Sequence, residues 1–574
     1  MKRVLSINNT SSKRVFGTLA VGSTGFMWSM AVAAATSALL YSGTLKNYKS
    51  FRWAQSLVSL VGLSTVTSST TTSSTTTSTT TVTTQANTTT STGLKPMKLG
   101  VNLNAANYYD NTRRFMNLLA SNWTLRLSWQ QGYKYVEMPA SYLDANKNLA
   151  KLGDGEYGVL IMGIPTKAYR GVSVDVVCRW QGQGTVQLFG EPAQNVKMSA
   201  QSLTFTFVPK GFANIHFWIT STDQSNPMRA IDCREADADP SATFDPTFLE
   251  EVKRYSTIRF VKWQRAVEAN TPVTWATRTK AGDGILDGND GVAIEYMVQL
   301  ANETQTNPWF NIPWNADDDY VRRFAQYVRD NLDPNLKAYI ETSNEVWNWM
   351  YPVTTQARDE GKAEGLSPGD DNLAMLYRYA EKTGQVMDIW SSVFTGQMSR
   401  IVRVVATQSV LPWSTGGVLA FRNTASKVDA LATAPYLHIS LNAGQISTST
   451  DLDNFFDTTL PTAINDAMSA AKQQKALADQ YNLRYVTYEG GQHIVSPNDV
   501  PQLVKIQRDP RMGKIYTQYL TRWYSEIGDL MILFMDTSPV TSYGGWGQRE
   551  DTGQPLSEAP QANAVELFRQ SYIN

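Results

Sequence analysis

From residue 98 to the C-terminus the chain alternates between two textures. Short apolar runs rich in β-branched and aromatic residues give way to longer stretches whose apolar positions recur every three to four residues, the signatures of strands and amphipathic helices. Residues 98–104 read as a first strand, with a helix expected over 111–119. Residues 246–253 resume a helical pattern, with Asp245 placed to cap it and Pro246 suited to its first turn. Strands are then predicted at 257–263, 308–314, up to Ile340, 401–406, 432–439, 485–488 and 530–536. Helices are predicted at 292–301, 320–331, 373–394, 455–481, 515–527 and 562–571. Strands and helices in such strict alternation predict an α/β fold, a closed (β/α)8 barrel of parallel strands, with the barrel occupying 97–122 and 237–574.

Between those two pieces the period changes. Residues 158–164, 172–180, 185–189, 203–208 and 215–220 are short alternating runs punctuated by glycine, which predicts a β-sandwich at 123–236, inserted between the first helix and the second strand. Both cysteines, Cys178 and Cys233, fall inside it. In an oxidising compartment they form one disulfide; the alternative is two buried thiols.

The N-terminal part has its own character. Lys2, Arg3, Lys13 and Arg14 precede a stretch over 15–45 without a charged residue, long enough to span a bilayer. Export follows, either with cleavage after the small-residue run 33–38 or, the reading favoured here, with the segment kept as a signal anchor within 1–63. Residues 64–92 are almost entirely Ser and Thr, too polar to offset chain entropy by burial, so 64–96 is expected to be a disordered stalk open to O-glycosylation. Sequons at Asn87, Asn122 and Asn302 agree with that route. The expected location is secreted or at the cell surface, as a type II membrane protein if the anchor is kept.

Charge and composition narrow the partners. Lys+Arg and Asp+Glu are equal at 51 each, so no strong field points to nucleic acid. The 16 Trp and 26 Tyr suit both core packing and stacking on sugar rings. No phosphate loop, zinc signature or Ser/His/Asp arrangement is present, and no cofactor is expected. The triplet Asp317, Asp318 and Asp319 reads as an acidic helix cap rather than a metal site.

Two strand ends carry the candidate chemistry. The run closing on Ile340 leads into Glu-Thr-Ser-Asn344-Glu345, and far downstream a β-rich run leads into Glu489-Gly-Gly-Gln-His493. The C-terminal ends of barrel strands face the open mouth, so both glutamates are expected to meet there. Paired carboxyls on separate strands are what glycosidic cleavage needs: a proton donor and a nucleophile or base. A separation of about 5 Å implies retention of configuration, and roughly 6.5 to 9.5 Å implies inversion. Trp314, at the end of the third strand, is a candidate sugar platform, and His493 a candidate substrate contact.

Asn-Glu closing the fourth strand and Glu closing the seventh resembles the clan A glycoside hydrolases, (β/α)8 retaining enzymes that include the cellulases. The resemblance covers residue 98 to the C-terminus apart from the insert, and departs from the clan at Val346, where proline is usual. It implies Glu345 as acid/base, Glu489 as nucleophile and Asn344 as partner of the sugar 2-hydroxyl. It also implies that Arg259 holds the nucleophile ionised, that Tyr436 and His438 lie beside it, and that Trp546, flanked by glycines, floors the subsite of cleavage. A β-linked glucan cut in its interior is the substrate class it favours, with mannan or another wall glycan behind it. Two other functions use the same residues: a non-catalytic carbohydrate-binding or wall-structural protein, and a wall transglycosylase. The insert either binds polysaccharide or buttresses the barrel.

Overall fold

The structure is a computed structural model, and it describes residues 95–105, 112–121, 125–129, 135–163, 165–210, 214–264, 266–282, 287–288 and 291–573. The predicted membrane segment at 15–45, the Ser/Thr stalk and the sequons Asn87 and Asn122 lie outside these residues. Among the described residues no helix is long and apolar enough to cross a membrane.

Eight parallel strands form the barrel: β1 Lys98–Asn102, β2 Thr257–Arg259, β3 Asn307–Ile312, β4 Ala338–Thr342, β5 Ile401–Ala406, β6 Ala430–Thr433, β7 Arg484–Thr487 and β8 Leu530–Leu533. Their spatial order follows the chain, each strand bonded to the next, with β8 returning to β1. The remaining gap, β7 to β8, is bridged by a side chain. Thr487 Oγ1 accepts from the Ile532 amide at 2.7 Å and donates to the Ile532 carbonyl at 3.2 Å, and the Phe534 amide donates to the Gly490 carbonyl at 2.9 Å. A hydroxyl thus takes the place of a ladder bond at the seam and leaves neither backbone group of Ile532 unpaired.

Period-two alternation sorts the strand residues between two apolar layers. Trp309, Tyr339, Val402, Val404, Ala430, Ala432, Val486, Tyr488, Leu530 and Ile532 point inward and fill the barrel. Their neighbours, such as Phe310, Ile340, Leu431 and Tyr485, point outward and pack against the helices. Gly100 is an inward position where a Cβ would lie 2.2 Å from the Ile532 side chain, so only glycine fits.

Three predicted elements differ. The expected helix at 111–119 is absent among its described residues: Phe115 bridges to Phe244 and a short 3₁₀ turn occupies Leu118–Ser121. The first barrel helix is Pro246–Val252, on the far side of the insert, which therefore lies inside the first strand-to-helix connection and joins the barrel at its mouth. The expected sixth strand is split at Pro435, and Tyr436–Ser440 pairs in parallel with Gly491–Val495 as a separate ribbon. Proline cannot donate to a ladder, and the chain turns there. The expected helix at 455–481 is Leu460–Gln480 preceded by one π-helical turn at Phe455–Thr459, because Pro461 cannot donate back to residue 457.

The insert is the β-sandwich expected, with more strands. One sheet orders Arg229–Glu235, Val174–Gln181, Ser202–Phe207 and Ala193–Ser199; the other orders Val136–Glu137, Arg126–Trp129, Glu156–Gly163, Asn214–Thr222 and Gly184–Phe189. They enclose a core of their own around Trp180, Phe205, Phe207 and Phe217. Cys178 and Cys233 sit opposite each other on antiparallel neighbours and form the disulfide. The seam to the barrel is polar. Arg113 pairs with Glu235 at 2.6 Å and Asp245 at 2.8 Å, while Arg170 reaches Asp551 and Glu558, both at 3.1 Å.

Candidate active site

The site is built on Arg259, the last residue of β2, fully buried at the top of the apolar plug. All five of its N–H groups are engaged. Nε donates to Glu341 Oε2 at 2.9 Å and Nη2 to Glu341 Oε1 at 3.0 Å, a bidentate pair. Nη1 donates to Asn102 Oδ1 and Glu489 Oε1, both at 3.0 Å, and the second N–H of Nη2 goes to Asn344 Oδ1 at 2.7 Å. One guanidinium thus ties β1, β2, β4 and the residues following β7 into a single cluster. Its carbon lies 5.1 Å from the centre of the Tyr488 ring and 5.7 Å from that of Trp309.

Glu489 follows β7 and is buried. Arg259 occupies its Oε1, and the Tyr436 hydroxyl donates to its Oε2 at 2.8 Å. Burial pushes its carboxyl up to about 7; Arg259 opposes that rise, a charge on Glu345 adds to it, and Tyr436 and the exposed Lys262 pull it back. The sequence reading required a nucleophile kept ionised by Arg259. Here desolvation outweighs Arg259, whose guanidinium is also bound by Glu341 through two hydrogen bonds.

Glu345 is half-buried and follows a tight turn off β4. Ser343 and Glu345 both have left-handed backbones, φ 58° and 43°, unusual for residues with a side chain. The turn is held from three sides. Ser343 Oγ donates to the Ala266 carbonyl at 2.6 Å, Asn311 Nδ2 donates to the Ser343 carbonyl at 2.8 Å, and the Asn348 amide donates to the Glu345 carbonyl at 2.7 Å. The Glu345 carboxylate accepts from the Tyr488 hydroxyl at 2.7 Å and from Asn348 Nδ2 at 2.9 Å. Tyr488 is thus shared, its hydroxyl on Glu345 and its ring beside the guanidinium that holds Glu489. The two glutamates occupy one electrostatic neighbourhood.

The other expected residues divide. Tyr436 touches Glu489 as expected. His438 and His493 face each other across the ribbon, ring centres 4.9 Å apart, and the His493 ring also meets Tyr436 at 5.4 Å and Trp546 at 5.6 Å. Neither histidine has a hydrogen bond to Glu489. Burial, and then His438, hold His493 down to about 3, so it is an uncharged ring near neutral pH. Trp546 is half-buried against Phe534, and a Cβ on Gly544 would lie 2.8 Å from its ring, so glycine there makes room for the indole.

Trp314 is a correction. It is 1% exposed, donates Nε1 to Glu360 at 3.2 Å and packs beneath Arg378 and Lys382, so no sugar can stack on it. Asp317 caps its helix by accepting from the Tyr320 amide at 2.7 Å. Asn302 braces its helix against the 331–333 turn, donating to the Asn331 carbonyl and accepting from the Asp333 amide, both at 2.9 Å.

Four residues were not anticipated: Asn102, Glu341, Asn348 and the Tyr488 hydroxyl. A signal for Glu341 lay in the strand alternation, since Tyr339 and Glu341 share the inward face of β4, where a charge has to find a partner. A cleft of about 1010 Å³ at the seam of insert and barrel, edged by Lys167, Arg170, Arg508 and Asp551, contains none of these residues.

No protein-family model matches the chain, and no curated protein matches it. Distant likeness to solved structures is found. A GH51 arabinofuranosidase from Xanthomonas axonopodis pv. citri is 11% identical at a TM-score of 0.37, covering 58% of this chain and 67% of its own. A GH5-4 broad specificity endoglucanase from an uncultured bacterium is 13% identical at 0.31, covering 57% and 82%. A beta-glucosidase from Thermotoga maritima is 10% identical at 0.31, covering 57% and 86%.

Proposed function

We propose that the protein is a retaining glycoside hydrolase of the clan A type, secreted or held at the cell surface, that cleaves a β-linked glucan. The observation that carries this reading is the arrangement around Arg259, which bonds both Glu489 and Asn344 while Tyr488, stacked beside it, bonds Glu345. A buried carboxyl and a more accessible one therefore share one hydrogen-bonded cluster, and the charge on Glu345 acts on Glu489. Burial raises the Glu489 carboxyl to about 7, and the charge on Glu345 adds to that rise while Arg259 opposes it.

In the first step the protonated Glu345 gives its proton to the glycosidic oxygen as that bond breaks, and Glu489 forms an ester bond to the anomeric carbon. Asn344 is placed to hold the adjacent 2-hydroxyl. In the second step Glu345, now a carboxylate, takes a proton from water; the water oxygen bonds the anomeric carbon and Glu489 leaves as carboxylate. Trp546, half-buried, offers an aromatic face to a sugar ring. The location rests on sequence: the uncharged 15–45 stretch, the Ser/Thr tract and a cysteine pair suited to an oxidising compartment.

The test is hydrolysis of a panel of β-glucans and mannans by the full-length chain, with product configuration read by NMR. Glu345→Gln and Glu489→Gln are each expected to lower turnover by about 10²- to 10⁴-fold or more while retaining polysaccharide binding. Unchanged turnover in either variant overturns the assignment. Binding with no turnover in the parent favours a carbohydrate-binding role, and sugar acceptors outcompeting water mark a transglycosylase.

A further inference from the structure

Glu341 is fully buried on β4, a strand position where an apolar residue would be the simplest choice. Its carboxylate takes two N–H groups of Arg259 and the indole N–H of Trp309 at 2.8 Å. The remaining N–H groups of the same guanidinium go to Asn102, Glu489 and Asn344. Burying a carboxylate is costly, and this one does not face the proposed substrate. We propose that Glu341 is a positioning residue that fixes the Arg259 guanidinium toward Glu489 and Asn344 and offsets its charge, so that Glu489 has no unpaired cation beside it. This rests on the glycosidase reading for its purpose, though not for its geometry.

The titratable groups acting on this cluster are local, the buried Tyr488 phenol beside both Glu345 and Glu489 among them. Glu489 faces Arg259 and Lys262 from the β2 side, Glu345 from beyond β4, and the Tyr436 hydroxyl from the ribbon. Glu341 faces Arg259, Trp309 and Asn311, and it and Arg259 both act on Tyr379 of the helix Asp371–Val393. Arg259 is the only cation in contact with a carboxylate in this set, and Glu341 holds it with two hydrogen bonds against one for Glu489. With Glu341 uncharged, the whole positive charge of Arg259 would act on Glu489. That favours the ionised nucleophile at lower pH.

The experiment compares the full-length parent with Glu341→Gln. Chains carry [δ-¹³C]glutamate, and the Glu489 signal is assigned by its loss in Glu489→Gln. The Glu489 midpoint is expected to fall by on the order of one pH unit or more in Glu341→Gln, and the acidic limb of kcat/KM to move down with it. A midpoint that stays in place while kcat falls makes Glu341 a brace only and overturns the proposal. Because the carbon signal is read without turnover, a parent inactive on every glycan removes the glycosidase reading and leaves this test standing. Should Glu341→Gln not fold, the Glu345→Gln chain decides. A Glu489 midpoint still above the ordinary carboxylate range supports cancellation of Arg259, and one below that range shows Arg259 acting unopposed and overturns it.

Discussion

Glu489 carries a sign that can be read in two ways, by rate and by stability. Its folded carboxyl titrates near 7, above the ordinary value for the unfolded chain, so the folded state binds the extra proton. Its contribution to stability is present below about pH 4.5 and is lost as pH rises to about 7 and beyond, the reverse of a salt-bridged surface carboxylate. Thermal melts should therefore show Glu489→Gln gaining on the parent as pH rises from about 5 to 8, with little difference at pH 4. A gap independent of pH would mean that Glu489 titrates alike in the folded and unfolded chain. On the proposed mechanism the acidic limb of kcat/KM is expected near neutrality, checked by a pH–rate profile on any glycan that is turned over. At this scale the sequence was readable where a polar residue interrupts an apolar run at a strand end, as at Asn344, Glu345 and Glu489. Trp314 was misread for want of parity. Phe310 and Ile312 face the helices, and Trp314 keeps their phase, so burial was the outcome its spacing implied.

Between elements, the seam of β7 and β8 depends on one hydroxyl. Thr487→Val keeps the shape and leaves the buried Ile532 amide without its acceptor, so a loss of about 1 to 3 kcal/mol is expected in denaturant unfolding. Faster amide exchange at Ile532 should accompany it. A neutral substitution with unchanged exchange would show that the seam closes by other contacts. The barrel strands were legible because each is a short β-rich run between helical repeats. The first helix was not, because pattern alone cannot tell that Arg113 and Phe115 belong to contacts with Glu235, Asp245 and Phe244, well over a hundred residues away in the chain. Pro435 and Pro461 were visible, yet their effects on the sixth strand and its helix were not drawn from them.

At the scale of the molecule, barrel and insert have separate apolar cores joined by a seam of ion pairs. Unfolding in two steps is expected, with the insert responding to reductant. The disulfide spans 55 residues, and removing that cross-link corresponds to about 4 kcal/mol in the chain-entropy account. Calorimetry with and without reductant should move one transition and leave the barrel's in place; a single transition moving as a whole would show one cooperative unit. The strands of the insert run from Arg126 to Glu235, between β1 and the helix Pro246–Val252, within the connection above β1. Anchored there, it can be lengthened, trimmed or exchanged without shifting the register that aligns Asn102, Arg259 and Trp309 across the first three strands. On the proposed function, changes confined to the insert are expected to alter which polysaccharide binds while leaving the pH–rate profile in place.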